Sequence, residues 1–461
     1  MLRTRLLHVV LAFGLTTSVA FVGFGFPVDA GIIAAVDYYS HVDPSSFLEP
    51  ARLRLTLLPE IGYATPSGVL DARLSLLLYI QGFSADSIFV SPERIIREAY
   101  MGLHVGRFDI YAGHRFVHWG KVDILSPLNN VNHADTTVLS TDDPFESTLS
   151  DLLLQLRFYP TDMLYAELVY VPFLQPDVID IEEVSIQEIL QLPIPGDLAY
   201  VYDIDASFLN RTPAPYSEWA NSVHVALHLL SFWFDLTCVY SNFVDQMPDF
   251  DLSGVTETMQ NDGTTETHTV RGTAYPAYDR VSSLGLATSL YLGDFLLSAD
   301  TAFKITGDPG GTRMEVKNSE LFSVVQLERL FWQNRLRVQT NIIHRYVFDA
   351  DADIVSDYSP AVEAYINAII SEYLQQDRSS QLYGLLHTDV SFLRETLTFA
   401  PTAIYGINEK VFLLMPRVSY KVNDYLTCSA GADIWFGKEG NGVLGANLAK
   451  DNAYIRARLE L

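Results

Sequence analysis

Apolar and polar residues alternate one by one along most of this chain, down to its last nine residues. There Ala453, Ile455, Ala457, Leu459 and Leu461 share one face, and Tyr454, Arg456, Arg458 and Glu460 share the other. A strand with this two-residue period turns one face to an apolar surrounding and the other to water. The same pattern marks candidate strands at 31–40, 51–63, 69–82, 97–106, 108–120, 150–159, 163–172, 219–230, 232–243, 280–292, 295–306, 316–329, 335–348, 381–393, 397–407, 411–421, 425–437 and 452–461. These are eighteen strands, most of them close to the roughly 9–11 residues that a tilted membrane strand needs. The weakest segments, 31–40 and the short gap at 408–410, leave sixteen to twenty strands open.

Connection lengths point the same way. Tight turns such as 65–68, 106–107, 160–162, 293–294, 394–396 and 423–424 alternate with mostly long loops such as 121–149, 173–218, 244–279 and 349–380. Outer-membrane barrels have short periplasmic turns and long extracellular loops. The expected fold is therefore all-β, a transmembrane antiparallel β-barrel. A soluble sandwich or solenoid would not need so many strands with a continuously apolar outer face, and no 20–50-residue repeat is visible.

Facing follows from the period. On 69–82, Leu70, Ala72, Leu74, Leu76, Leu78 and Ile80 oppose Asp71, Arg73, Ser75 and Gln81, which share their face with Leu77 and Tyr79. On 425–437, Leu426, Cys428, Ala430, Ala432, Ile434 and Phe436 oppose Tyr425, Thr427, Ser429, Asp433 and Trp435; on 335–348 the polar face is Arg335, Arg337, Gln339, Asn341 and Arg345. So many charges cannot pack dry, because an unpaired buried charge costs several kcal/mol. They should surround water, and about eighteen strands enclose enough space for an aqueous channel.

The N-terminus reads as a leader. Arg3 and Arg5 precede an apolar run from Leu6 to Phe26, and Val28-Asp29-Ala30 suits signal peptidase, with Ala20 as an alternative site. Residues 1–30 are thus expected as a signal peptide and 31–461 as the barrel, without room for an N-terminal plug; a membrane anchor is the competing reading of the run. No later apolar stretch reaches the length of a spanning helix. Cys238 and Cys428 lie far apart with lipid-facing side chains, so no disulfide is expected. The formal charge of −26 disfavours nucleic acid as a partner.

The segment 98–135 resembles a pattern of several porin-like outer-membrane families, in which a hairpin ends in Arg, Trp-Gly and Asp before a loop with Pro, Asn and a further Asp. The matching residues are Arg115, Trp119-Gly120, Asp123, Pro127, Asn132 and Asp135. The resemblance covers about forty of the 461 residues and implies a membrane barrel with a pore. Such barrels often end in an aromatic residue read by the insertion machinery, whereas this chain ends in Leu461.

Arg52, Arg54, Arg73, Arg115, Arg335, Arg337, Arg345, Arg456 and Arg458 are the expected pore-lining residues. Closure of the barrel brings Arg456 and Arg458 to the same wall as Arg52, Arg54 and Arg73, where a cationic ladder would ease the passage of anionic or polyhydroxylated solutes. The competing reading pairs them with neighbours such as Asp71 and Glu460 to stiffen the wall. The loops are acidic: 174–217 holds eight Asp or Glu against Arg211, and 349–379 holds seven against Arg378. Asp349, Asp351, Asp353 and Asp357 present oxygen ligands suited to Ca²⁺, although a hand-type loop's glycine and terminal Glu are missing. Ser359-Pro360 followed by the stripe Val362, Tyr365, Ile366, Ile369, Ile370, Tyr373 and Leu374 predicts an amphipathic loop helix, to be covered by other loops such as 185–188 or to serve as a lid, membrane or subunit contact.

His114, His118 and His133 near Asp123 and Asp135 form no Ser-His-acid spacing, and no zinc or phosphate-loop motif occurs, so no enzymatic activity and no cofactor beyond loop-bound Ca²⁺ is expected. The expected function is an outer-membrane pore for small hydrophilic solutes, narrowed by an inward-folded loop, 121–149. Its expected partners are outer-membrane lipids, small solutes, the barrel-insertion machinery and further copies of itself as a homo-oligomer. The alternatives are a lipid or hydrophobic-compound transporter, suggested by the inward-facing Leu77, Leu153, Trp233, Leu385 and Trp435 and by the apolar loop helix, and an adhesin or scaffold displaying acidic loops.

Overall fold

The structure, a computed structural model, describes residues 28–41, 52–82, 95–134, 148–177, 199–205, 219–261, 266–273, 275–373, 376, 378–437 and 451–461. Eighteen antiparallel wall strands form the barrel: β1 (Val28–His41), β2 (Arg52–Ala64), β3 (Leu70–Leu76 and Leu78–Gly82), β4 (Ile96–Val105), β5 (Phe108–Arg115), β6 (Asp151–Thr161), β7 (Leu164–Phe173), β8 (Trp219–Leu230), β9 (Phe234–Val244), β10 (Arg280–Leu292), β11 (Phe295–Ile305), β12 (Glu320–Phe331), β13 (Leu336–Val347), β14 (Ser380–Phe392), β15 (Leu397–Phe399 and Thr402–Gly406), β16 (Val411–Met415 and Arg417–Lys421), β17 (Leu426–Phe436) and β18 (Asn452–Glu460). Each pairs with its sequence neighbours, and β1 also pairs with β18 from Ile33↔Glu460 to His41↔Asn452, which closes the cylinder. The count and antiparallel order agree with the alternation. The expected leader lies outside the described residues except Val28–Ala30, which pair with Ile61, Gly62 and Tyr63 of β2.

Two interruptions of the ladder have a local cause. β15 breaks before Pro401 and β16 at Pro416, neither of which has an N–H to donate; both prolines still accept, from Thr388 and Ala432. The pattern 108–120 overruns the observed β5, which stops at Arg115. Beyond it the chain turns into the barrel, and its own alternation persists because Val117 and Trp119 pack on the inner wall.

Outside, the wall is apolar and open: Leu74, Met101, Leu154, Leu227, Leu284, Ile342 and Ile455 are all exposed. A continuous apolar belt of this kind needs lipid around it. Phe232, Trp233, Tyr291, Trp332 and Tyr425 are exposed at the short-turn end, the position of an interfacial aromatic girdle. Trp233 therefore belongs to the rim and not to the inward face expected for it. No helix among the described residues is long and apolar enough to cross a membrane. Cys238 and Cys428 are free.

At the long-loop end, strands Val255–Asn261 and Glu266–Thr273 form a hairpin, extended in parallel by Ala199–Asp205. Beside it lies helix α1 (Pro360–Tyr373). Its Val362, Ile366 and Ile370 bury against Phe250, Val255, Val270 and Met314, so this part of the greasy stripe is covered by neighbouring outer loops; the side chains of Tyr365, Ile369, Tyr373 and Leu374 lie outside the described residues. Ser359, at the helix start, donates to Glu257 of the hairpin through both its backbone N–H and its hydroxyl, each at 2.7 Å. The segment 185–188 lies outside the described residues.

Candidate functional site in the lumen

The inward face is where the chain does something other than close a cylinder. After Arg115 the segment 116–134 enters the lumen and lies along the inner wall. Its base is tied by Asn132, whose Oδ1 accepts the Val117 N–H at 2.7 Å and whose Nδ2 donates to the Arg115 carbonyl at 2.9 Å. His133 N donates to Asp151 Oδ2 at 2.9 Å. Asp151 sits directly opposite Arg115 in the β5–β6 register.

Three wall side chains hold the body of the loop. Glu167 on β7 accepts the Trp119 indole N–H at 2.8 Å, together with Gln155 Nε2 at 2.7 Å and Arg157 Nε at 2.8 Å. Asp300 on β11 accepts the Lys121 N–H at 3.0 Å, the Val122 N–H at 3.2 Å and the Ser126 hydroxyl at 2.6 Å. Gln326 on β12 accepts the Asp123 N–H at 2.9 Å. Between these polar anchors, Val117, Trp119, Leu128 and Val131 bury against Leu153, Val169, Val171, Ala226, Val239 and Ala287 of strands β6 to β10. Glycine is required at 120, where a Cβ would overlap Ser126 Oγ and come within 2.6 Å of Asp300 Oδ2.

The motif residues thus acquire physical roles. Trp119 and Gly120 fit the loop to the wall, Asn132 closes its base, and Asp123 reaches Arg337 on β13. Arg115 stacks over Tyr111 at 3.5 Å, lies 5.0 Å from the Tyr100 ring, and donates to Gln155. Asp135 lies outside the described residues.

The other arginines form a wall laced with ion pairs. Arg54 and Arg456 flank Asp37 from either side of the β2–β1–β18 seam, all three nearly buried, with Arg54 Nε 3.6 Å from Asp37 Oδ2. Arg73 lies 2.6 Å from Glu60 and 3.4 Å from Glu98. Arg337 pairs with Glu328 at 2.7 Å as well as with Asp123, Arg345 with Glu320, and Arg458 with Glu460 at 2.8 Å. Arg335 is exposed in the turn ahead of β13, at the end of the barrel. The side chain of Arg52 lies outside the described residues.

Asp349, Asp351, Asp353 and Asp357 are all exposed along one stretch of loop, and no metal-holding group of three His, Cys, Asp or Glu side chains occurs among the described residues. Of the motif-region histidines, His133 approaches Asp151, while His114 approaches the Ser150 hydroxyl at 3.5 Å. The acid and the serine are thus divided between two rings. Leu153, expected as part of a greasy path, is used to seat the loop.

Sequence reasoning missed Asp300 and Glu167. Asp300 had a signal: it is a lone acid at an inward position whose register partners are Ala287 and Val324, so no cation stands opposite to neutralise it.

A closed eighteen-stranded barrel with an inward-folded loop is a porin-type architecture. Among solved structures, the chain is similar to OccK2 (OpdF) of Pseudomonas aeruginosa, determined in complex with glucuronate, at 11% identity and a TM-score of 0.51, covering 95% of this chain and 99% of that one. It is also similar to OccK10 (OpdN) of the same organism, at 10% identity and a TM-score of 0.50, covering 94% and 99%. These likenesses are likenesses of fold. No family model and no curated protein matches the sequence.

Proposed function

We propose that this protein is an outer-membrane channel through which small hydrophilic solutes pass, with loop 116–134 setting the constriction. The observation that carries the reading is that loop itself: a segment drawn inside the barrel and fixed by Glu167, Asp300 and Gln326, beside a charged inner wall. A barrel serving only as a display scaffold has no need to anchor a loop across its own interior. A lipid carrier would need a greasy path, whereas Leu153 is occupied in seating the loop.

Selectivity in this reading comes from paired charges. Carboxylates stand beside Arg54, Arg73, Arg337, Arg345, Arg456 and Arg458, so the wall offers a solute alternating donors and acceptors more than a bare cationic ladder. Polyhydroxylated solutes and sugar acids suit such a surface, since hydroxyls and carboxylates can exchange water for these groups stepwise. Glucuronate, the compound bound in the OccK2 structure, is the natural first probe.

Purified protein in planar bilayers tests the reading: discrete ohmic steps, together with glucuronate uptake into proteoliposomes, are expected. Electrical silence with full insertion would overturn it. The signal peptide, the insertion machinery, homo-oligomer assembly and loop-bound Ca²⁺ belong to the same proposal. Fractionation, cross-linking and a Ca²⁺ titration of loop protection against protease test them in turn.

A further inference from the structure

The base of the constriction loop is held by a second set of contacts, separate from the Glu167, Asp300 and Gln326 anchors. Lys317, just ahead of β12, places its ammonium 2.9 Å from Asp245 and 3.6 Å from Asp249, and donates to the Met247 carbonyl. Its backbone N–H donates to Asp249 Oδ1 at 3.0 Å. Asp177, just after β7, accepts the Ala134 N–H at 2.6 Å, while its own N–H donates to the Gln246 carbonyl at 2.9 Å. Gln246 Nε2 in turn donates to the Val131 carbonyl at 3.1 Å. Residues 131–134 of the constriction loop are thereby tied to two outer segments, those of Asp177 and Gln246, and the second of these is held in turn by Lys317.

The charges of this knot do not balance. Lys317 interacts with three carboxylates, those of Asp245, Asp249 and Asp177. Its own side chain is only 13% exposed, and that of Asp249 only 4%. An enclosed site with one ammonium and three carboxylates takes up protons more readily than isolated carboxylates do. We propose that Lys317 and its aspartates form a proton-operated latch on the constriction loop, one that tightens as the outer medium turns acidic.

The surroundings of each group agree with this. Burial pushes Asp177 up to about 6; Asp245 adds to the shift, and the Ala134 N–H, His133 and Lys317 oppose it. Burial likewise pushes Asp249 up to about 6, with Asp245 and Asp279 adding and Lys317 opposing. His133 in turn is 3.2 Å from Asp151. Burial pulls Lys317 down, but Asp245, Asp249 and Asp177 outweigh it, so its value lies above the ordinary one and it remains charged.

The sign follows from proton linkage. A carboxylate whose value is raised by folding binds its proton more tightly in the latched state. Its contribution is full below the ordinary value near 4 and is lost as pH rises through about 6. Each of the two groups can shift the latch equilibrium by up to about a hundredfold across that window.

Amide hydrogen exchange over residues 131–134 in the intact barrel, corrected for the intrinsic pH dependence of exchange, reads the latch directly. Protection should rise at least about tenfold between pH 7.5 and pH 5. The double variant Asp177→Asn/Asp249→Asn should show high protection with no slope, because both amides mimic the protonated acids. A flat wild-type profile, or an unchanged slope in the variant, overturns the proposal. If the double variant does not assemble, each single variant should halve the slope, and unchanged slopes in both overturn it equally. Fewer channel openings at acid pH would be the consequence for transport, and that consequence alone rests on the channel reading, since exchange is measured with no solute passing.

Discussion

Asp300 shows how much of the seating of loop 116–134 depends on one side chain. Replacing it with alanine leaves two backbone N–H groups and the Ser126 hydroxyl without their acceptor, at about 1–3 kcal/mol for each group that stays buried. Asp300→Ala should therefore raise single-channel conductance and admit larger polymers, while heat-modifiability on gels shows the barrel still assembled. Asp300→Asn keeps one acceptor oxygen and should lie between. Gly120→Ala should disturb the same contact from the other side, since its methyl would have to displace Ser126 or Asp300. These anchors were illegible beforehand for a simple reason. Ser126 and Asp300 are 174 positions apart, and Asp123 and Gln326 are 203 apart, and alternation carries no information about which loop crosses to which wall. The motif residues Trp119, Gly120 and Asn132 could be read as a group, but their partners could not.

At the level of elements, the two-residue period was enough to place eighteen strands, because one face of each is forced outward by its apolar side chains. It misjudged 116–120, since a loop lying flat on an inner wall buries alternate residues as a strand does. The outer hairpin and the parallel strand Ala199–Asp205 were also hidden within long loops, where no lipid face imposes a pattern. Helix α1 was legible from its stripe, and its cover explains how so apolar an element sits outside. Ile366→Ala should loosen that cover by about 2–4 kcal/mol. Faster protease cleavage of the outer loops, with unchanged barrel assembly, is the expected readout.

Over the whole molecule, the seam between β1 and β18 completes the wall, and it carries Asp37 between Arg54 and Arg456. Removing both arginines takes two cations away from a nearly buried carboxylate, at about 3–5 kcal/mol. The Arg54→Ala/Arg456→Ala variant should therefore lose its heat-resistant gel mobility at a lower temperature than the parent. Asp37→Ala added to it should restore part of the loss, which separates the charge effect from lost packing.

Loop 116–134 grips strands β7, β11 and β12 and reaches Arg337 on β13, so it spans a broad arc of the circumference. A strut fastened at several points inside a thin-walled tube resists flattening. Lateral pressure from the surrounding bilayer, which would squeeze an unbraced cylinder towards an oval, is then borne by the same few hydrogen bonds that hold the loop against the inner wall.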